Sequence, residues 1–135
     1  MGYYDIAKNL LEFAQNLLNL GDSIAKKELE KRLRIADYLD KIAKCIDDIV
    51  ALFERGEKPY GGCGELDEYL RSIFDTLQGV FSEDDIERYE RVLTGGALAR
   101  GALFIVKDAG SKEIAQGTLE DAAGRFRALA NRLRI

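Results

Sequence analysis

Residues 24–53 read IAKKELEKRLRIADYLDKIAKCIDDIVALF, thirty positions without a proline or a glycine. As a helix this stretch is about 45 Å long at ~1.5 Å per residue. Its apolar residues come in adjacent pairs: Ile35/Ala36, Tyr38/Leu39, Ile42/Ala43, Cys45/Ile46, Ile49/Val50 and Leu52/Phe53. The pairs advance by three and four, so two apolar stripes run side by side on one helix. One partner helix covers one seam; two stripes demand at least two partners, as in a bundle. Ile35, Leu39, Ile42, Ile46, Ile49 and Phe53 are the expected core positions.

Composition agrees. A chain of 135 residues fits one domain, here 1–135, and 47% hydrophobic with 33% charged side chains is an ordinary globular balance. A single proline among abundant Leu, Ala, Ile, Glu and Arg favours helix. The fold expected is all-α, a single-domain bundle of four main helices plus short helices around one long central helix. Net charge of −4 and the lack of a concentrated basic surface argue against nucleic acid as partner. Charge is uneven, however: residues 65–91 hold nine acids and three arginines, whereas 125–134 hold four arginines and no acid. The last helix is therefore a candidate to face anions. No leader pattern and no uncharged apolar run of ~20 residues is visible, which places the protein in the cytoplasm.

Tyr3 to Leu20 reads as the first helix, with Gly21 as its stop. Tyr3, Tyr4, Ile6, Leu10, Leu11, Phe13, Leu17 and Leu18 supply its apolar side, and only Asp5, Lys8 and Glu12 carry charge. Such a segment is either a core helix or one that acts on a membrane, and periodicity does not separate the two. In the long helix, Glu28/Arg32 and Glu30/Arg34 have ion-pair spacing, and Asp37, Asp40, Lys41, Lys44, Asp47 and Asp48 read as a solvated strip.

Residues 57–64, with one proline and three glycines, read as a tight connection that leaves Cys63 accessible, while Cys45 sits on the apolar stripe. Two cysteines in such different contexts do not suggest a disulfide framework. A third helix is expected over Glu65 to Gln78, stopped by Gly79, and a fourth from the capping-box-like Ser82-Glu83-Asp84-Asp85 to Leu93. Residues 97–110 are read as helix in preference to strand. A final helix begins at Thr118 and carries Arg125, Arg127, Arg132 and Arg134.

The chain has no histidine, which removes the His-based nucleophile triads, His-ligated zinc and the Glu-x-x-His pairs of di-iron bundles. Two isolated cysteines do not build a zinc site, and Ser82-Glu83-Asp84-Asp85 lacks the spaced oxygens of a calcium loop. No catalytic residue, metal ligand or cofactor is expected, and the protein is not read as an enzyme.

The blocks Arg32-Leu33-Arg34-Ile35-Ala36-Asp37-Tyr38-Leu39-Asp40-Lys41-Ile42-Ala43 and Phe53-Glu54-Arg55-Gly56-Glu57-Lys58-Pro59-Tyr60-Gly61-Gly62-Cys63-Gly64-Glu65-Leu66 resemble a type of bacterial helical domain. With a short amphipathic first helix and a long second one, the chain is similar over nearly its whole length to the Bell domains. These are related in architecture to HeLo and HELL domains and to the N-terminal bundle of the mixed-lineage kinase-like protein. The resemblance implies a membrane-targeting executor of regulated cell death in bacterial immunity. Its partners would be membrane lipids, an upstream sensor or activating protein, and further copies of the chain in a pore-forming homo-oligomer. The membrane-entry role falls on Tyr3 to Leu20. The alternative is a helical protein–protein interaction or adaptor module without membrane activity.

Overall fold

A computed structural model describes residues 3–57, 59–96 and 109–135. It contains six helices among those residues: α1 (Tyr3–Asn19), α2 (Gly21–Ala25), α3 (Leu29–Glu54), α4 (Tyr60–Thr76), α5 (Glu83–Leu93) and α6 (Ala109–Leu133). Four are long and two short, and the only β-pairing among the described residues is an isolated bridge between Gln78 and Phe81. The protein is an all-α helical bundle built on the long α3. The reading of residues 97–110 falls mostly outside the described residues; Ala109 and Gly110 open α6.

The doubled stripe of α3 is covered on two sides, by α4 and by α6. Ile35, Leu39, Ile42, Ile46 and Ile49 are fully enclosed and Phe53 nearly so. On the α4 side, Ile49 lies under Gly62, where an added Cβ would stand 3.0 Å from the Ile49 Cγ1. Ala122, Ala123 and Ala130 of α6 are fully buried in the core that it shares with α3 and α1. One core joins all six helices.

Several boundaries differ from the sequence reading. The long helix starts at Leu29 and not near Ile24, because the chain first makes the single turn of α2 and then breaks at Lys26–Glu28. Burial of Gly21 and Ile24 on the α6 side, with the Arg32 guanidinium donating to the Ala25 carbonyl at 3.1 Å, outweighs the propensity for one continuous helix. Gly21 therefore opens a helix instead of only ending one.

The stop after α3 is a Schellman motif: Gly56 at φ 76° donates to Phe53 at 3.0 Å, and Glu57 donates to Leu52 at 2.9 Å. The following helix then begins at Tyr60, so Gly61, Gly62, Cys63 and Gly64 belong to its first turns and not to a loop. Proximity to α3 explains it, since helix formation here buries Cys63 and Leu66 while Gly62 leaves room for Ile49. Ser82 caps α5 as expected, accepting from the Asp85 N–H at 3.2 Å. The last helix starts nine residues before Thr118. Thr118 donates to the Ile114 carbonyl at 2.9 Å, as a mid-helix hydroxyl does, and is not a cap.

Candidate membrane-active segment

Periodicity sets the buried side of α1. Ile6, Ala7, Leu10, Phe13, Ala14 and Leu17 are all buried, Leu11 and Leu18 are half-buried, and Tyr4 is 44% exposed. The Tyr3 side chain lies outside the described residues. Of the residues assigned to the segment, Ile6, Leu10, Phe13 and Leu17 thus form the face turned inward, with Leu11 and Leu18 at its rim and Tyr4 outside it.

The main packing of α1 is on α6, with α5 and α2 adding smaller contacts, while α3 packs on both α4 and α6. The pairs Phe13/Phe126 and Asp22/Arg132 follow one another in the same order along both segments, so α1 and α6 run parallel. Phe13 is the centre of an aromatic cluster, its ring centroid 5.1 Å from Phe74, 6.0 Å from Phe81, 5.0 Å from Tyr89 and 6.0 Å from Phe126. Tilted rings at these separations are the favoured arrangement for aromatic quadrupoles.

Polar groups close the seam between α1 and α5. Arg88 Nη1 donates to Glu12 Oε1 at 3.1 Å, the Tyr89 hydroxyl donates to the same oxygen at 3.4 Å, and the Asn16 amide donates to the Tyr89 oxygen. The Arg88 guanidinium also stands 4.6 Å from the centre of the Tyr89 ring. Burial is the largest influence on the Tyr89 hydroxyl and raises its pKa.

The arginines of the last helix are not free to receive anions. Arg127 pairs with Asp47, Arg132 with Asp22, and Arg134 with Asp37 at 2.9 Å and Asp40 at 2.6 Å; Arg125 pairs within the helix with Asp121 at 3.0 Å. The expectation that this helix faces anions is corrected accordingly. Asp37, Asp40 and Asp47 do lie on a solvated strip, their side chains 66%, 43% and 42% exposed, and there they meet the arginines at the C-terminal end of the chain. Sequence spacing finds partners within a helix, and these partners lie between helices. Of the two pairs expected at the start of α3, Glu30/Arg34 forms at 3.3 Å, while Arg32 turns to the Ala25 carbonyl.

Both cysteines are buried. Cys45 Sγ points at Glu65 Oε2 from 3.8 Å, and burial followed by the Glu65 charge pushes its thiol up to about 11. Burial, followed by the neighbouring Cys45, pushes Cys63 up to about 11 as well. Cys63 is therefore not the accessible thiol that a glycine-rich loop would make of it; a helix placed it against α3.

Between the start of α3 and the end of α4 lies an open polar cleft of about 340 Å³, lined by Glu28, Glu30, Lys31, Arg34, Asp75, Thr76 and Gln78. Its lining mixes three acidic and two basic side chains, and Arg34 pairs with Glu30 within it. Among the described residues no group of His, Cys, Asp or Glu is arranged to hold a metal ion, and no helix is long and apolar enough to cross a membrane. Comparison with protein families, with curated proteins and with solved structures finds no match to this chain.

Proposed function

We propose that the chain is a membrane-acting effector of the cell-death executor type, in which released α1 lies on a lipid surface and helps a permeabilising oligomer to form. One observation carries the reading: Ile6, Leu10, Phe13 and Leu17, the inner apolar face of α1, are enclosed in the core, and their main cover is the single helix α6. The same side chains then serve two competing environments, so rest and activity exclude one another. At 17 residues α1 is roughly 25 Å long, short of the ~30 Å hydrocarbon core, and an orientation along the interface suits it better than a spanning one. An upstream activating protein would supply the differential binding that shifts the equilibrium.

The test is dye release from anionic liposomes under forced clustering. Wild type is compared with Leu11→Gln/Leu18→Gln, which reduces the apolar face at its half-buried rim and leaves the enclosed residues in place. Leakage by wild type and its loss in the variant, with melting temperature nearly kept, supports the effector. A wild type that neither binds lipid nor leaks dye under clustering abandons it for the adaptor module. One feature favours that second reading: Leu29 and Leu33, one turn apart at the start of α3, are 59% and 37% exposed.

A further inference from the structure

We propose that α5 is a latch: it opens on glycines at its two ends before the rest of the bundle moves, and its opening uncovers α1. Its purpose rests on the effector reading above; its mechanics do not. Eleven residues fall below the length at which an isolated helix holds in water, so α5 depends on what it touches. It touches α1 and α4, and buries only Ile86, Tyr89 and Leu93. Seven of its positions, Glu83, Asp84, Asp85, Glu87, Arg88, Glu90 and Arg91, are charged. Gly79 before it and Gly95 and Gly96 after it have φ of 86°, 73° and 76°, the left-handed region where glycine rotates without the Cβ penalty. A Cβ at Gly79 or Gly95 would meet no atom within 4 Å, so backbone conformation and not packing accounts for those glycines.

What α5 holds is α1. Two adjacent residues, Arg88 and Tyr89, make the polar ties to Glu12 and Asn16, and the Tyr89 ring closes over Phe13. The Arg88/Glu12 pair is nearly half exposed on both sides and therefore screened by salt; Tyr89, 1% exposed, is the anchor. The main cover of α1 is the 25-residue α6, which also packs on α3, and Phe74 of α4 touches Phe13. Of these, α5 is a small one, and its departure leaves α3 packed on both α4 and α6. Opening at Gly79 would carry Phe81 and Tyr89 away together and bare Phe13, which keeps Phe74 and Phe126 as ring partners.

Hydrogen–deuterium exchange on the whole chain, without lipid, tests the mechanics. Amides of residues 83–93 should exchange at least roughly tenfold faster than those of α3 and α6, as expected of a separately opening unit. Arg88→Glu should raise exchange in α5 and in residues 6–17 and leave α3 unchanged. The converse arm joins Glu12→Cys to Arg88→Cys with a short bis-methanethiosulfonate, each thiolate expelling methanesulfinate to form a disulfide; the locked protein should show α1 more protected than wild type and release no dye until a reductant cleaves the link. Exchange of α5 at the common rate of α3 and α6, an equal rise in every helix of Arg88→Glu, or a crosslink that leaves α1 exchange unchanged would overturn the latch. If α5 opens first and the lock protects α1 while no liposome ever leaks, the latch stands and the effector reading falls.

Discussion

Arg134, just past the end of α6, donates to Asp37 on α3 at 2.9 Å, across 97 positions of sequence. The same guanidinium reaches Asp40, and these two hydrogen bonds raise its pKa. Arg127 and Arg132 repeat the device against Asp47 and Asp22. Because these side chains are about a third or more exposed, Arg134→Gln should cost under about 1 kcal/mol, and the loss should shrink in molar salt. Urea midpoints at low and high salt measure it; a loss of several kcal/mol indifferent to salt would mean that the pair is shielded from solvent.

Glycines at the start of α4 should respond to alanine with opposite signs. Gly61 and Gly64 open onto free space, so Gly61→Ala or Gly64→Ala gains helix propensity and should stabilise by about 0.5–1 kcal/mol. Gly62→Ala places a Cβ 3.0 Å from Ile49, a fully enclosed side chain, and should destabilise by about 1 kcal/mol or more. Equal stabilisation by all three would show that α4 does not press on α3 at this point.

Both thiols should resist alkylation at neutral pH in the folded protein and react together once it is denatured. Their folded pKa values, about 11, lie above the ordinary thiol value of 9.0. The folded state thus keeps protons that the unfolded chain releases between those values. Their contribution to stability is complete below pH about 9, falls as pH rises towards 11, and does not change further above it. A Cys45→Ala/Cys63→Ala variant should show a shallower alkaline decline than wild type in stability curves; parallel curves would contradict the burial of the thiols.

Ile46 is enclosed in α3 among residues that face other helices. Ile46→Ala should cost about 2–5 kcal/mol through lost burial and the cavity left behind. Ile46→Asp places an unpaired carboxylate there and should leave the chain largely unfolded at neutral pH. Wild-type melting of either variant, followed by circular dichroism, would remove this position from the core.

The sequence made α3 legible because its stripes repeat over many turns, and it made the Ser82 cap legible because capping is a local hydrogen bond. It hid the start of α4, since Gly61, Gly62 and Gly64 carry a turn composition whose helical use depends on Ile49 lying opposite. The break at Lys26–Glu28 was hidden for the reverse reason: no proline or glycine marks it, and the Arg32 bond to Ala25 that accompanies it is not a pattern. In α1 the sequence supplied eight apolar residues without ranking them, of which Ile6, Leu10, Phe13 and Leu17 turn inward, and the polar seam of Glu12, Asn16, Arg88 and Tyr89 joins positions more than 70 residues apart. The partners of Arg127, Arg132 and Arg134 were beyond reach of any window for the same reason.

The parallel pairing of α1 with α6 also has a consequence during synthesis. Because α1 is covered mainly by α6, Ile6, Leu10 and Phe13 are synthesised about a hundred residues before Leu119, Phe126 and Leu129. At ~5–20 residues per second, a nascent chain carries that bare apolar face for roughly 5–20 s. Each molecule thus passes through an interval of synthesis in which the apolar face of α1 exists and its main cover does not.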